Sequence, residues 1–139
     1  MTKLPPTDPV ASTKEISGCE FRIMPMGDSN TAGANNRSYR TDFYDLMDAS
    51  GATFDLVGRD TEPTVVAPPD DNHWGNSGYQ IANTTTVLNG ISYKSLNNEN
   101  RSGLFDEMDS AISTTYFSTD PDVTNVILLM IGTNDILKG

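Results

Sequence analysis

The sequence is poor in the residues that most often carry catalysis or cross-linking. It has one cysteine, Cys19, one histidine, His73, and one tryptophan, Trp74. A single cysteine excludes an internal disulfide and leaves the redox compartment open. No His/Cys cluster is present to hold zinc. Cation side chains are scarce as well: nine Lys and Arg stand against 19 Asp and Glu, for a net charge of −10. Without a basic patch to release counterions, a nucleic-acid partner is excluded. Long apolar runs are missing, so no segment reads as a membrane span. The opening residues, MTKLPPTDPVASTKEIS, contain no apolar h-region and do not read as a signal peptide. The sequence therefore gives no address for its localisation.

What is present is enough for one domain: 139 residues, 36% apolar, with much Asn, Thr, Ser, Asp and Gly. Residues 1–19, rich in Pro, Thr and Ser, read as a flexible arm, and 20–139 as the folded domain. A strand is predicted over 20–26. An amphipathic helix is predicted over 39–49, with Tyr39, Phe43, Leu46 and Met47 forming one apolar stripe, Ser38 as its cap and Gly51 as its stop. A second strand covers 53–58. A long polar loop follows, over 59–74. A short helix is expected over 80–88 and a second amphipathic helix over 104–116, on Leu104, Met108, Ala111, Ile112 and Thr115. Residues 126–131, VILLMI, are six consecutive apolar residues and suit a central strand of a parallel sheet, covered by helices on both faces. Strands alternating with helices indicate a parallel α/β sheet.

Two of these strands end alike. Met26 runs into Gly27-Asp28-Ser29, and Ile131 runs into Gly132-Thr133-Asn134-Asp135. In a parallel sheet both ends lie on one edge, where open α/β sheets place their ligand crevice. Ser29 and Asn134 are thereby expected to face one site, although about a hundred residues separate them. A serine lifted out at a strand's carboxyl end is a mounted nucleophile. The plainer reading makes Ser29 the N-cap of the following helix. Asn134 offers a side-chain NH₂ to a developing oxyanion, and the Ser77-Gly78 turn a backbone N–H. Together they provide what acyl transfer through a tetrahedral intermediate requires. Asp28 is expected to orient the nucleophile turn by side-chain-to-backbone bonds. Asp70-Asp71 and Asp120/Asp122 lack calcium-loop spacing and read as solvated loop charge. No metal or cofactor is expected.

These segments resemble the blocks of the GDSL, or SGNH, hydrolase family. Gly27-Asp28-Ser29-Asn30-Thr31 with Gly33 is similar to the first block, Gly78 within Gly75-Asn76-Ser77-Gly78-Tyr79 to the second, and Gly132-Thr133-Asn134-Asp135 to the third. RIMPMGDS, Tyr39-Arg40, FDLVG, the His73-to-Tyr79 segment and LLMIGTND together look most like the acetylxylan-esterase branch. The resemblance implies a flavodoxin-like three-layer α/β/α fold, here truncated after the third strand. It implies Ser29 as nucleophile and the Ser29 N–H, Gly78 N–H and Asn134 side chain as oxyanion hole. The substrate it implies is a small-molecule or carbohydrate ester, with acetyl as the acyl group. Related enzymes are commonly secreted.

The sequence departs from the family in two places. Position 30 is Asn where the family has Leu or Ile. The family's last block, Asp-x-x-His, which supplies the base and its orienting acid, is not found before Gly139, so the domain is expected to be incomplete at its carboxyl end. Asp70-x-x-His73 lies upstream of the glycine block and is no substitute. His73 is read as a loop-wall or substrate-contacting residue, with Trp74 and Tyr79 as aromatics that stack on a sugar or pack on the loop. The alternative from another class is a catalytically inert α/β module that binds a carbohydrate or a partner. A strand edge left unpaired after 131 would favour self-association.

Overall fold

The computed structural model describes residues 20–33, 38–61, 68–83, 85–93 and 101–136. The arm expected over 1–19 lies outside the described residues. The sheet is built on β1 (Glu20–Gly27). It runs parallel to β2 (Thr53–Leu56) over Glu20 to Ile23, and to β3 (Trp74–Gly75) at Met26 and Gly27. β6 (Val123–Met130) pairs with all eight residues of β1 and is also parallel. A strand has two edges, so β2 and β3 share one edge of β1 and β6 takes the other. Pro25 falls between the two short registers, after Ile23 and before Met26, and on that edge it has no ladder partner to disappoint.

The parallel α/β class expected from the strand order is the one observed. The strand edge expected to be left unpaired after 131 is that of β6, and it is unpaired among the described residues. β1 has neighbours on both edges, whereas β6 pairs with β1 and with no other strand among the described residues. An apolar run reports burial on two faces, and nothing in it says which strand has two neighbours. In β6, Ile127, Leu129 and Met130 are exposed, Leu129 to 61%.

Helix α1 (Ser29–Ala32) follows β1 directly. Helix α2 (Tyr39–Ala49) has its predicted bounds and its predicted cap, Ser38, whose Oγ accepts the Arg40 N–H at 3.2 Å. Its buried side differs from the predicted stripe. Leu46 is 71% exposed, and the helix residue that is fully buried is Arg40. α2 packs on β2, where Tyr44 meets Phe54 edge-on at 5.0 Å.

The helix expected over 80–88 is instead a hairpin, β4 (Val87–Leu88) and β5 (Ile91–Ser92). Asn89 and Gly90 at its tip both have positive φ, 50° and 79°. Asn-Gly suits a two-residue turn of that hand, and the Thr run before it has little helical preference to oppose it. The helix expected over 104–116 is a 3₁₀ turn (Leu104–Glu107) followed by α3 (Met108–Ala111). Ile112, with ψ of 58°, leaves helical geometry and is 52% exposed. Ser113, Thr114 and Thr115 come next, and hydroxyl and β-branched side chains favour the turn seen there. The core is Met24, Met26, Val57, Trp74, Leu104, Ala111 and Phe117. Met24 and Met26 share one face of β1 by strand alternation.

Candidate active site

β1 and β6 stop together. Gly27 is opposite Met130, and the Asp28 N–H donates to the Met130 carbonyl at 3.2 Å. A methyl group on Gly27 would stand 1.9 Å from that carbonyl oxygen and 2.7 Å from Thr31 Oγ1. Only a residue without Cβ lets the two strand ends close so near the following helix. The two strand ends at this edge are therefore fixed by backbone.

Asp28, not Ser29, caps α1. Its Oδ1 accepts the Asn30 N–H at 2.9 Å and the Asn30 side-chain N–H at 3.0 Å. This overturns the plainer reading of Ser29 as cap and bears out the orienting role expected of Asp28. Ser29 opens the helix, half-buried, and among the described residues no hydrogen-bond partner engages its hydroxyl. Asp28 is fully buried, and its Oδ2 has no partner among the described residues.

The other end of α1 is held by Arg40. Its Nε donates to the Thr31 carbonyl at 2.9 Å and its Nη2 to the Ala32 carbonyl at 3.2 Å. Nη1 reaches the Asp71 carbonyl. A cation in the first turn of α2 opposes that helix's own dipole. The orphan carbonyls of α1 offset this, because they sit where a positive group is favoured. Sequence reasoning gave Arg40 no role. The available signal was its spacing: 40, 43 or 44, and 47 share one helix face, and a cation among apolar side chains there needs a buried partner.

The turn Asn76–Tyr79 is pinned against β1. The Asn76 N–H donates to the Gly27 carbonyl at 3.1 Å, and the Tyr79 N–H closes the turn on the Asn76 carbonyl at 3.2 Å. Gly78 takes φ of +86°, which L side chains rarely adopt. Asn134 arrives from α4 (Thr133–Ile136), just past β6. Its Nδ2 donates to the Tyr79 carbonyl at 2.9 Å, and its Oδ1 accepts from Arg101 Nη1 at 3.2 Å. Asp135 is buried beside it and accepts the Ile81 N–H on both oxygens, at 3.2 and 3.1 Å. Burial raises the Asp135 pKa, the bonds from Ile81 and its own backbone lower it, and the nearby Asp28 raises it further. So the Gly78 turn, Asn134 and the end of β1 are tied to one another. A cleft of about 330 Å³ opens beside them, lined by Ser77, Gly78, Tyr79, Arg101 and Ser102.

The three residues around the turn were expected to meet substrate or pack on the loop, and the structure gives each a packing position. His73 is fully buried. Its Nδ1 accepts the Gly75 N–H at 3.0 Å. Burial, with the Arg40 charge next, lowers its pKa to about 4, so it is neutral at pH 7. Trp74 is 3% exposed, with Arg59 4.6 Å above its ring and Tyr116 edge-on at 5.4 Å. Its Nε1 donates to Glu107 Oε2 at 2.7 Å. No face of the indole is open for stacking. Tyr79 donates its hydroxyl to the other Glu107 oxygen. The Tyr79 side chain thus braces the loop while the residue borders the cleft. Glu107, which clamps both aromatics, was not singled out by sequence reasoning.

Asp70 does not stand in solvent as loop charge. Its Oδ2 accepts the Leu56 N–H at 2.6 Å and its Oδ1 the Asn72 side chain at 3.0 Å. Among the described residues, no group of His, Cys, Asp and Glu is placed to hold a metal ion, and no helix is long and apolar enough to cross a membrane.

Comparison with known proteins agrees with this fold. A multidomain esterase of Ruminococcus flavefaciens is 35% identical over an alignment of 128 residues that covers 86% of this chain and 15% of that protein. A family 3 carbohydrate esterase of Clostridium thermocellum superposes with a TM-score of 0.54 at 27% identity, over 84% of this chain and 45% of its own. The chain thus spans a minor part of each relative's length. The family described as GDSL-like Lipase/Acylhydrolase matches residues 23–139, so nearly the whole described fold falls within it, and the chain belongs to that family.

Proposed function

We propose that this chain carries the nucleophile and the oxyanion-binding half of a serine ester hydrolase. In this reading Ser29 Oγ attacks the ester carbonyl carbon. The carbonyl oxygen becomes an oxyanion met by the Ser29 N–H, the Gly78 N–H and the Asn134 Nδ2. The tetrahedral intermediate expels the alcohol, and water then releases the acid from the acyl-serine. The single observation that carries the reading is the bond from Asn134 Nδ2 to the Tyr79 carbonyl. It draws two candidate donors, remote in sequence, to the strand end where Ser29 leaves β1. The free Ser29 hydroxyl, with Asp28 capping in its place, favours this reading over the inert module.

The proposed substrate is an acetyl ester on a carbohydrate. Support comes from the similar multidomain esterase and family 3 carbohydrate esterase. His73 is not the base in this scheme: its Nδ1 is filled, and a pKa of about 4 makes it a weak proton acceptor. We assign the base to a group outside the described residues.

The test is protein-dependent hydrolysis of p-nitrophenyl acetate, then of acetylated xylo-oligosaccharide, by the chain beside Ser29→Ala and His73→Gln. Turnover is expected to vanish with Ser29→Ala and persist with His73→Gln. Equal rates for the chain and Ser29→Ala would overturn the reading.

A further inference from the structure

We infer that Arg101 is a positioning residue that sets and polarises the Asn134 amide. The inference rests on the oxyanion role proposed for Asn134. An asparagine amide can be turned over with little change in shape, and only one of the two orientations presents N–H groups to a substrate. Here both ends are fixed. Nδ2 donates one hydrogen to the Tyr79 carbonyl at 2.9 Å, and Oδ1 accepts from the Arg101 guanidinium at 3.2 Å. A turned amide would set its oxygen against the Tyr79 carbonyl and its N–H groups against a cation, so both contacts would become repulsive.

Arg101 does more than hold the orientation. A charge-assisted bond to the amide oxygen draws electron density from the nitrogen and makes the amide N–H groups better donors. The same guanidinium nitrogen lies 3.5 Å from where a side chain on Gly78 would begin, so it borders both proposed oxyanion segments. It also lines the cleft. Arg101 lies outside the three sequence blocks, about thirty residues before the asparagine it holds, and no motif marks it.

The effect belongs to the transition state, where the oxyanion forms, and not to ground-state binding. Arg101→Met is expected to lower kcat about 10-fold with KM unchanged. That is less than the about 10²–10³-fold that follows removal of an oxyanion donor outright. Arg101→Lys, which keeps the charge but not the planar fork, is expected to recover part of the loss. A second readout needs no turnover. The Asn134 side-chain NH₂ resonances, assigned by their loss in Asn134→Ala, are expected to move upfield in Arg101→Met and part of the way back in Arg101→Lys. Asn134 resonances that stay at their wild-type positions in a folded Arg101→Met, or a wild-type kcat in that variant, would overturn the proposal. Equal turnover by the chain and Ser29→Ala would overturn the esterase reading alone, and the amide resonances would then decide the role of Arg101.

Discussion

Acid should unfold this domain largely through His73. The ring is fully buried, and its Nδ1 accepts the Gly75 N–H, a bond that requires an unprotonated Nδ1. Burial lowers its pKa from the ordinary 6.5 to about 4. Between those values the unfolded chain binds a proton that the native protein refuses. Stability therefore rises with pH across the window: the contribution is fully present above 6.5 and is lost as pH falls towards 4. A gap of about 2.5 units, at about 1.4 kcal/mol each, makes the full loss about 3 kcal/mol, most of it spent by pH 4.5. Asp135 acts in the opposite sense. Its pKa is raised, chiefly by burial, so its contribution is greatest below the ordinary 3.8 and is lost as pH rises through its folded value. Comparison with His73→Gln separates the two, because glutamine can accept the Gly75 N–H through Oε1 and does not titrate. Urea midpoints should be read by circular dichroism at pH 7.5 and 4.5, since a protonated His73 would quench the adjacent Trp74. Wild type should lose about 2–3 kcal/mol more than His73→Gln, a relative midpoint shift of about 1 M or more at an ordinary urea slope. Equal pH dependence in the two proteins would refute the reasoning.

Two further outcomes follow from the packing. Arg40→Met leaves the Ala32 and Asp71 carbonyls without their Arg40 donor and the Thr31 carbonyl with the Ser38 hydroxyl alone. Each unmet buried acceptor costs about 1–3 kcal/mol, offset in part because a guanidinium is no longer buried, for a net loss of about 2–4 kcal/mol. A urea midpoint unchanged from wild type would show that α1 does not depend on this residue. The open edge of β6, with Ile127, Leu129 and Met130 exposed, should drive concentration-dependent self-association. Light scattering across a concentration series should show it, and Leu129→Lys should suppress it. A monomer at every concentration in wild type would count against that.

The sheet and its candidate edge were legible in the sequence because both are local signals. An apolar run that ends in glycine announces a strand and its stop, and it did so at Met26-Gly27 and again at the end of the 126–131 run. The site's supports were not legible, because they are contacts between segments far apart in the chain. Glu107 reaches back to Trp74 and Tyr79, and Arg40 binds carbonyls whose own residues carry no mark of it. How many neighbours a strand has is not legible in its own composition, because neighbours are a property of the whole sheet. The hairpin at Asn89-Gly90 was a local signal overlooked. There the Thr-rich segment was read for helix, and the turn dipeptide after it should have outweighed that.

The arrangement makes β1 the common support of everything proposed to act on substrate. Ser29 leaves its end through Asp28, and the Gly78 turn hangs from the Gly27 carbonyl by Asn76. Asn134 follows the strand that pairs with β1 along its full length, and the Asp28 N–H closes that pairing on Met130. None of these ties is a contact between the reacting groups themselves. Each runs through backbone at the strand end, where a shift of one segment moves the others with it. Such a site is assembled when the β1–β6 and β1–β3 pairings form, and it needs no ligand to draw the donors together. That is the preorganisation from which oxyanion stabilisation takes its strength, since dipoles already in place need not reorganise as charge develops. It also explains why the glycine at the hub is beyond substitution: a single methyl at Gly27, 1.9 Å from the Met130 oxygen, would part the two strands at the one point where all three segments meet.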